Sequence, residues 1–348
     1  MKKIFLSIAV VIVCAFAFWF AHSDFGFNPN YSVAIVNTKS GVFDTKVECY
    51  DNDLNLVQRK KIYMSMVGKC LTSVNEKKYM LSSGTDLLPC KKVLELNSET
   101  GKATKYDVGQ SFNLAMTAND KYVFTSNAVP GAATIIRCDK SSGEIIKLEL
   151  PKVIGAGLFI FDDNILYAFA DDSDTHVSNL YIIDPDQMKI LKTIDIKDKG
   201  YHHDQCVKVE DDLYFLDGFT YNGVTDGQPI SENRLVKFNT KTYQFETIEI
   251  GLAPEKLVHS GDYLYITYDG YSTNPKMITL YNLKTGEQTQ KELQNYIDYI
   301  AVDAKNQKLY STDRHKLYQY DLKTFELLKS VEPDSSAKGF FIKSMFVK

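Results

Sequence analysis

The sequence is poor in the residues that disordered chains and small disulfide scaffolds require. Only 9 of its 348 residues are Pro and 6 are Cys, and no two cysteines have the Cys-x-x-Cys spacing. With 44% hydrophobic residues, the composition is that of a folded protein with a large core. Neither a complete disulfide framework nor a zinc site is indicated. Buried free thiols are therefore favoured, and Cys70 with Cys90 is the pair that falls within one repeat.

Positive charge is not in excess, and familiar catalytic motifs are missing. The net charge is -4, with 40 Lys and Arg against 44 Asp and Glu, which argues against nucleic acid as a partner. The sequence lacks a nucleophile elbow, an HExxH motif, a phosphate-binding Gly loop and a haem-attachment Cys-x-x-Cys-His. We therefore expect no cofactor and no metal site. The missing motifs do not exclude enzymes whose catalytic residues are scattered along the chain.

One long uncharged run stands at the N-terminus. Residues 4–21, IFLSIAVVIVCAFAFWFA, follow Lys2 and Lys3 and would span about 27 Å as a helix. Signal cleavage needs small residues after the apolar core, but Trp19 and Phe20 stand there. An uncleaved anchor over residues 1–21 is favoured, with the rest of the chain outside the cytoplasm. The alternative is a signal peptide and a secreted protein.

A repeat organises the remaining chain. An alternating apolar strand that ends in Asn or Asp, followed by a short polar turn, occurs seven times. The Asn or Asp starts the turn because its short side chain bonds the backbone two residues on. Successive strand-ending residues are 39 to 55 positions apart. They are Asp51, Asn97, Asp139, Asp184, Asn239, Asn282 and Asp321.

Three further strands accompany each repeated strand, which predicts four strands per unit. The first unit lacks its inner strand, since only a linker at 22–30 precedes Tyr31, whereas the last unit has one strand too many, GFFIKSMFVK. The C-terminal strand therefore completes the first blade beside YSVAIVN and closes the ring. The prediction is an all-β, seven-bladed β-propeller over residues 31–348, preceded by one N-terminal apolar helix.

The segment KYVFTSNAVPGAATIIRCDKSSGEIIKLELP resembles one unit of the YVTN-repeat propellers, and GLAPEKLVHSGDYLYIT has the same Gly-x-x-Pro before an inner strand. This family of extracytoplasmic seven-bladed proteins is similar in structure to lactonase-like propellers. The resemblance covers nearly the whole chain after Tyr31. It implies packing and turns, and it implies no particular chemistry.

Candidate site residues lie in the connections of one face, because loops vary without disturbing the sheets. The fifth blade is expected to have the longest loop, residues 217–234, with YHHDQ at 201–205 before its inner strand. The candidates for ligand or partner binding are Tyr201, His202, His203, Tyr221, Arg234 and Tyr271. The weak candidates for catalysis are His202, His203 and Asp204, since imidazole titrates near neutrality.

Two functions follow from these expectations. The first is a monomeric, non-enzymatic extracytoplasmic propeller that binds a protein, a peptide or a cell-envelope glycan through its loop-rich face. The second is a lactonase-like hydrolase or lyase acting in the central channel, with His202 or His203 as acid and base and Asp204 orienting it. A converging cluster of titratable side chains in the channel would favour the second.

Overall fold

A computed structural model describes residues 25–39, 41–64, 71–75, 78–82, 90–127, 132–151, 153–162, 164–172, 175, 177–201, 203, 205–221, 229–269, 274–333 and 336–348. The apolar segment at 4–21 lies outside these residues. In the described part of the chain no helix has the length and hydrophobicity to cross a membrane.

The described chain is almost entirely β-strand, and its strands form seven antiparallel sheets. Strands β1 to β8 are Phe25–Gly26, Val33–Thr38, Thr45–Tyr50, Leu56–Ile62, Leu71–Asn75, Lys78–Ser82, Lys92–Asn97 and Lys102–Asp107. Strands β9 to β16 are Asn113–Ala118, Tyr122–Asn127, Ala132–Asp139, Ile145–Pro151, Val153–Asp162, Ile165–Asp172, Val177–Asp184 and Lys189–Asp195. Strands β17 to β24 are Cys206–Val209, Asp212–Tyr221, Pro229–Asn239, Phe245–Glu249, Pro254–Ser260, Tyr263–Tyr268, Met277–Asn282 and Gln288–Glu292. Strands β25 to β29 are Tyr299–Asp303, Lys308–Thr312, Leu317–Asp321, Leu327–Val331 and Phe341–Val347, and two short 3₁₀ turns are Lys197–Lys199 and Ser336–Lys338.

The seven sheets are the blades of a β-propeller, as predicted. The strand orders, from the inner strand outward, are β29-β2-β3-β4, β5-β6-β7-β8, β9-β10-β11-β12, β13-β14-β15-β16, β17-β18-β19-β20, β21-β22-β23-β24 and β25-β26-β27-β28. The first strands of consecutive blades contact one another from the second blade through the seventh to the first, which places them around the central axis.

The C-terminal strand closes the ring, as the sequence predicts. Strand β29 pairs antiparallel with β2, from Val33 opposite Val347 to Thr38 opposite Phe341. Phe346 is buried and its ring lies 4.9 Å from that of Tyr79 in the second blade. The last strand therefore fills the inner position of the first blade and also packs against the second.

The segment that precedes the first blade is partly structured. Strand β1 pairs with β8, with Phe25 opposite Ala103, and forms a fifth strand at the outer edge of the second blade. The Asn28 amide then donates a hydrogen bond to Gln58 Oε1 on β4. The chain thus enters the propeller between the outer strands of its first two blades.

The hydrophobic core lies between neighbouring blades, because each sheet buries both of its faces. One cluster joins the first and second blades through Ala34, Val47 and Leu94. Another joins the first and seventh through Val33 and Tyr310. Because both faces are covered, second strands such as Val33–Thr38 and Tyr122–Asn127 are buried at every position.

Among the described cysteines, Cys49, Cys138 and Cys206 are free thiols. Burial raises the pKa of the Cys49 thiol to about 12 and also raises the pKa values of the other two. These thiols are therefore poor nucleophiles in the folded protein. Cys70, and with it the pair Cys70–Cys90, lies outside the described residues.

Candidate functional site

The two faces of the propeller differ in their connections. Since the strands of a blade are antiparallel, the connections between second and third strands lie at the same end of the blades as those leading into the next blade. We call this end the upper face. The connections between second and third strands vary from 4 to 9 residues, whereas those between third and fourth strands, on the lower face, all have 4 or 5. Differences between the blades are therefore concentrated on the upper face.

The upper face differs most at the fifth blade, where two strands are extended. Its second and third strands, β18 and β19, have 10 and 11 residues, whereas the first strand of this blade has only 4. Beyond Asp217 and Arg234 the two strands pair with each other, down to Tyr221 opposite Pro229. At the base of this pair the carbonyls of Asn233 and Glu232 also accept hydrogen bonds from the amides of Ile250 and Ala253 in the connection to the sixth blade. We call residues 218–221 and 229–233 the arm. The long loop expected at 217–234 thus contains a two-stranded ribbon, and residues 222–228 lie outside the described part of the chain.

A break in register separates the arm from its blade. Pairing runs regularly from Asp212 to Asp217, shifts at Gly218, and resumes with Phe219 opposite Ser231. Such a bulge bends a strand pair and increases its twist. Because ladder pairing satisfies the backbone of both strands, this ribbon extends from the sheet as regular structure.

Polar residues join the second and third strands at the upper ends of the third, fourth and fifth blades. In the third blade the Thr134 backbone amide donates to Asn127 Oδ1, and in the fourth the Ser178 hydroxyl donates to the Asp171 carboxylate. In the fifth blade Asp217 and Arg234, at the same register position as Asn127 and Thr134, form an ion pair. Asp171 and Ser178 lie one position further towards the upper face on their strands.

Burial changes the pKa of the carboxyl group in the Asp217–Arg234 pair. Asp217 is fully buried, and desolvation raises the pKa of its carboxyl to about 7, although the Arg234 guanidinium opposes that rise. Arg234 is partly exposed and also lies 3.6 Å from Glu232, and its Nη1 donates to the Asp198 carbonyl. The base of the arm therefore holds a carboxyl that titrates near neutral pH beside a permanent cation.

Gly200 covers the Asp217 carboxylate with bare backbone. Its φ is +99°, and a Cβ built on it would lie 1.9 Å from Asp217 Oδ1. No side chain fits between this backbone and the carboxylate, so a glycine is required here. The connection from the fourth blade thus seals the ion pair from above.

His203 lies beneath the same connection and is buried. Its Nδ1 lies 3.1 Å from the Leu216 carbonyl, and its ring packs edge-on against Phe169 and Phe215. The position ties the interblade connection to the core of the fourth and fifth blades. In this arrangement the imidazole packs in the interior and is not presented to a ligand on the surface.

The remaining predicted site residues have different positions. Tyr201 is partly exposed on the upper face next to Gly200. His202, Asp204, Tyr271 and the side chain of Tyr221 lie outside the part that the structure describes. The structure thus brings Tyr201, His203 and Arg234 to one end of the fifth blade. In the described residues no group of three His, Cys, Asp or Glu side chains is placed to hold a metal ion.

Two exposed apolar side chains lie on the upper face in the connections that follow the arm. Leu252, between the fifth and sixth blades, is 47% exposed, and Tyr296, between the sixth and seventh, is 61% exposed. Lys276 Nζ lies 5.4 Å from the Tyr296 ring. Leu252 lies beside the arm, and Tyr296 lies one blade further around the same face. An exposed tyrosine is typical of a surface that contacts another macromolecule.

A second carboxyl on this face also has a raised pKa. Burial raises the pKa of Asp298, with a further increase from Glu255 and a decrease from Arg314. The amide of Asp298 donates to the Thr312 carbonyl, which fixes its position beside the last blade. Asp217 and Asp298 are separated by the whole sixth blade, so they do not form one acid and base pair.

Sequence reasoning missed Asp217, Gly200, Leu252 and Tyr296 as individual residues. The available signal for Asp217 was its place at the end of an alternating strand, where Asn127 stands in the third unit. The exposure of Leu252 and Tyr296 has no such signal, because apolar residues also fill the buried positions of similar connections.

Comparisons with known proteins give the fold. No family model matches the chain, and no curated protein matches its sequence. AztD from Citrobacter koseri in its apo form aligns with a TM-score of 0.58 and 10% identity over 91% of this chain and 98% of its own. A protein from Bacteroides fragilis provisionally assigned as a 6-phosphogluconolactonase aligns with a TM-score of 0.61 and 10% identity over 92% and 99%.

A functionally unknown protein from Desulfotomaculum acetoxidans aligns with a TM-score of 0.59 and 11% identity, over 86% of this chain and 95% of its own. At such identities the likeness shows a shared fold and no shared activity. The seven-bladed propeller fold is therefore confirmed, whereas the YVTN-repeat family stays a resemblance.

Proposed function

We propose that this protein is a non-enzymatic binding propeller that recognises a protein, a peptide or an envelope glycan outside the cytoplasm through its upper face. The observation that supports this proposal is the arm of the fifth blade, a paired ribbon that projects beyond its sheet. The apolar segment at 4–21 is proposed to hold the propeller at the outer side of the membrane, because its flanking charges favour that orientation.

The binding surface we propose consists of the arm, Leu252 and Tyr296. In this proposal the arm gives the surface a projecting contour that a partner can recognise. The two exposed side chains give it apolar contact area. The Asp217–Arg234 pair supports the arm from below, since it joins the last residues of β18 and β19 that still belong to the sheet. An interface on a rigid support loses little entropy on binding.

The proposal is tested by removing the surface in two ways. In one variant residues 219–232 are replaced by Asn-Gly, a two-residue turn that closes the hairpin above Asp217. The other variant is Leu252→Ala with Tyr296→Ala. The matched control is Tyr243→Ala with Tyr263→Ala, because these tyrosines are 38% and 39% exposed on the lower face.

Binding of the purified variants to isolated cell envelopes of the producing organism is the measurement. Both upper-face variants are expected to lose at least about 10-fold in affinity, as truncation of interface side chains usually does at anchor positions. The control should bind like the wild type. Loss of binding in the control with retention in the upper-face variants would contradict the proposal.

A hydrolase or lyase is the second candidate, and Asp217 is the observation that favours it. A carboxyl with a pKa of about 7 suits acid and base catalysis at neutral pH. However, the Gly200 backbone covers this carboxylate and Arg234 pairs with it, so a substrate would first have to displace both. Lactone hydrolysis by the wild type that is abolished in Asp217→Asn would establish this candidate in place of the first.

A further inference from the structure

We infer that the outer side of the first blade is a membrane-facing surface that binds anionic phospholipid headgroups. This surface is separate from the upper-face site proposed above, and its test does not depend on that site. It consists of the outer strand β4 with Tyr63, and of the β2–β3 connection with Val42 and Phe43.

Exposed apolar side chains are concentrated on this blade. Five of the twelve large apolar side chains exposed in the described residues lie on this blade. Val42, Phe43 and Tyr63 lie together at the upper end of β4, and Leu56 and Val57 lie at its lower end. The others occur singly or in isolated places around the ring. Single exposed apolar residues are normal on a protein surface, whereas a group of them marks an interaction site. Tyr63 is 69% exposed, and tyrosine is a residue typical of the membrane interface.

Cations accompany these apolar residues. Strand β4 contains Arg59, Lys60 and Lys61 in succession and no acid, whereas the outer strand of the fifth blade, across the ring, contains two acids and no cation. Edge strands often carry Lys to prevent pairing with other chains. That role explains the cations, but it does not explain exposed Leu, Val and Tyr on the same strand.

More positive charge lies at the upper end of the blade. Lys46 Nζ lies 3.5 Å from the centre of the Phe340 ring. Burial lowers the pKa of Lys46, and the nearby Arg59 and Lys338 act in the same direction against Asp44 and Glu48. The buried carboxylate of Glu48 is already bonded by Arg59, Asn37 and Tyr50. Arg59 is paired with Glu48, and Lys61 lies 3.3 Å from Asp44. Lys46, Lys60 and Lys338 are therefore the positive charges in excess here, and they suit anionic headgroups.

The path of the chain brings this blade to the bilayer. The apolar segment ends at residue 21, and β1 begins at Phe25 on the edge of the second blade. Four residues span at most about 14 Å. The following residues lie against Gln58 on β4. If residues 4–21 are in a membrane, the outer strands of the first two blades are the part of the ring nearest to it.

The test uses the full chain in phosphatidylcholine vesicles with and without phosphatidylglycerol. An environment-sensitive fluorophore is attached at Tyr63→Cys or, as the matched control, at Thr247→Cys on the outer strand of the fifth blade. Wild-type protein treated in the same way measures labelling of the native cysteines. Quenching by nitroxide lipids reports contact with the bilayer. We expect quenching at position 63 in the anionic vesicles, little at position 247, and a decrease with added salt.

Charge reversal tests the headgroup contact. Lys60→Glu with Lys61→Glu should reduce the ratio of docked to undocked protein at least about 10-fold, since each basic residue near an anionic surface contributes about 1 kcal/mol. The control reverses Lys189 and Lys192, two exposed lysines on the outer strand of the fourth blade, and should leave quenching unchanged. Circular dichroism melts verify folding of both variants.

Equal quenching at both labelled positions, or none at position 63 in vesicle-bound protein, would overturn the inference. Protein that sediments only with anionic vesicles, through Lys60 and Lys61, would support the surface and disprove the anchor. Protein that sediments with neither vesicle type would overturn both. Envelope binding lost in the upper-face variants reports on the other site alone, so the two failures are distinguishable.

Discussion

Asp217 and Arg234 face each other on β18 and β19 and form an ion pair where the central strands of the fifth blade leave their sheet. In the third blade the same register position is joined by a hydrogen bond from the Thr134 amide to Asn127. The fifth blade thus has an ion pair where the third blade has a neutral hydrogen bond, and it is the blade that carries the arm.

The first prediction concerns pH. The folded-state pKa of Asp217 is about 7, above its value of about 3.9 in the unfolded chain, so the folded state binds more protons between these values. The contribution of Asp217 to stability is complete below about pH 4 and is lost as the pH rises through about 7. The free energy of unfolding of the wild type should fall by about 4 kcal/mol over this pH range, and Asp217→Asn should abolish that fall. Urea unfolding of both proteins from pH 4 to 8 measures this, and parallel pH profiles would contradict it.

The second prediction concerns Gly200, whose missing side chain makes room for Asp217. Gly200→Ala places a Cβ against the carboxylate in a backbone region that is almost exclusive to glycine. Gly143→Ala is the control, because its φ is +74° and its Cβ would meet nothing within 4 Å. We expect the control to cost about 1 kcal/mol and Gly200→Ala at least about 2 kcal/mol more. Equal costs in chemical denaturation would show that the contact with Asp217 is unimportant.

The third prediction concerns ring closure. Phe346 is 1% exposed and packs against Tyr31 and Tyr79, so Phe346→Ala should cost about 3–5 kcal/mol. Phe43→Ala removes a ring that is 43% exposed and should cost less than about 0.5 kcal/mol. Deletion of the residues after Gly339 should lower the melting temperature more than either substitution, because it exposes the whole edge of β2. An unchanged melt in the truncated protein would refute closure.

The fourth prediction concerns the thiols. Because burial raises the pKa values of Cys49 and Cys138, both should resist maleimide in the native protein at neutral pH and react after unfolding in guanidinium chloride. Peptide mapping by mass spectrometry after a short pulse of reagent gives the labelling of each site. Rapid native labelling of Cys49 would mean that the interface between the first two blades opens readily.

The sequence by itself determined the number of blades, their strand order and the closure by GFFIKSMFVK. Each of these rests on local signals: an apolar alternation of period two, an Asn or Asp that starts a turn, and a count of strands that leaves one missing at the start and one extra at the end. The anchor at residues 4–21 was also read from local composition, and it stays a prediction.

Only the tertiary structure decided which polar residues meet. His203 and Arg234 both seemed suited to a ligand, but folding buries His203 against Phe169 and Phe215 and pairs Arg234 with Asp217. Part of the expected loop at 217–234 became a ribbon, and Phe25–Gly26 joined the second blade. The physical reason is that these contacts depend on the packing of one blade against the next and on a single register shift at Gly218. Neither the packing between blades nor the register shift produces a repeating pattern in the sequence, whereas the repeated strands do.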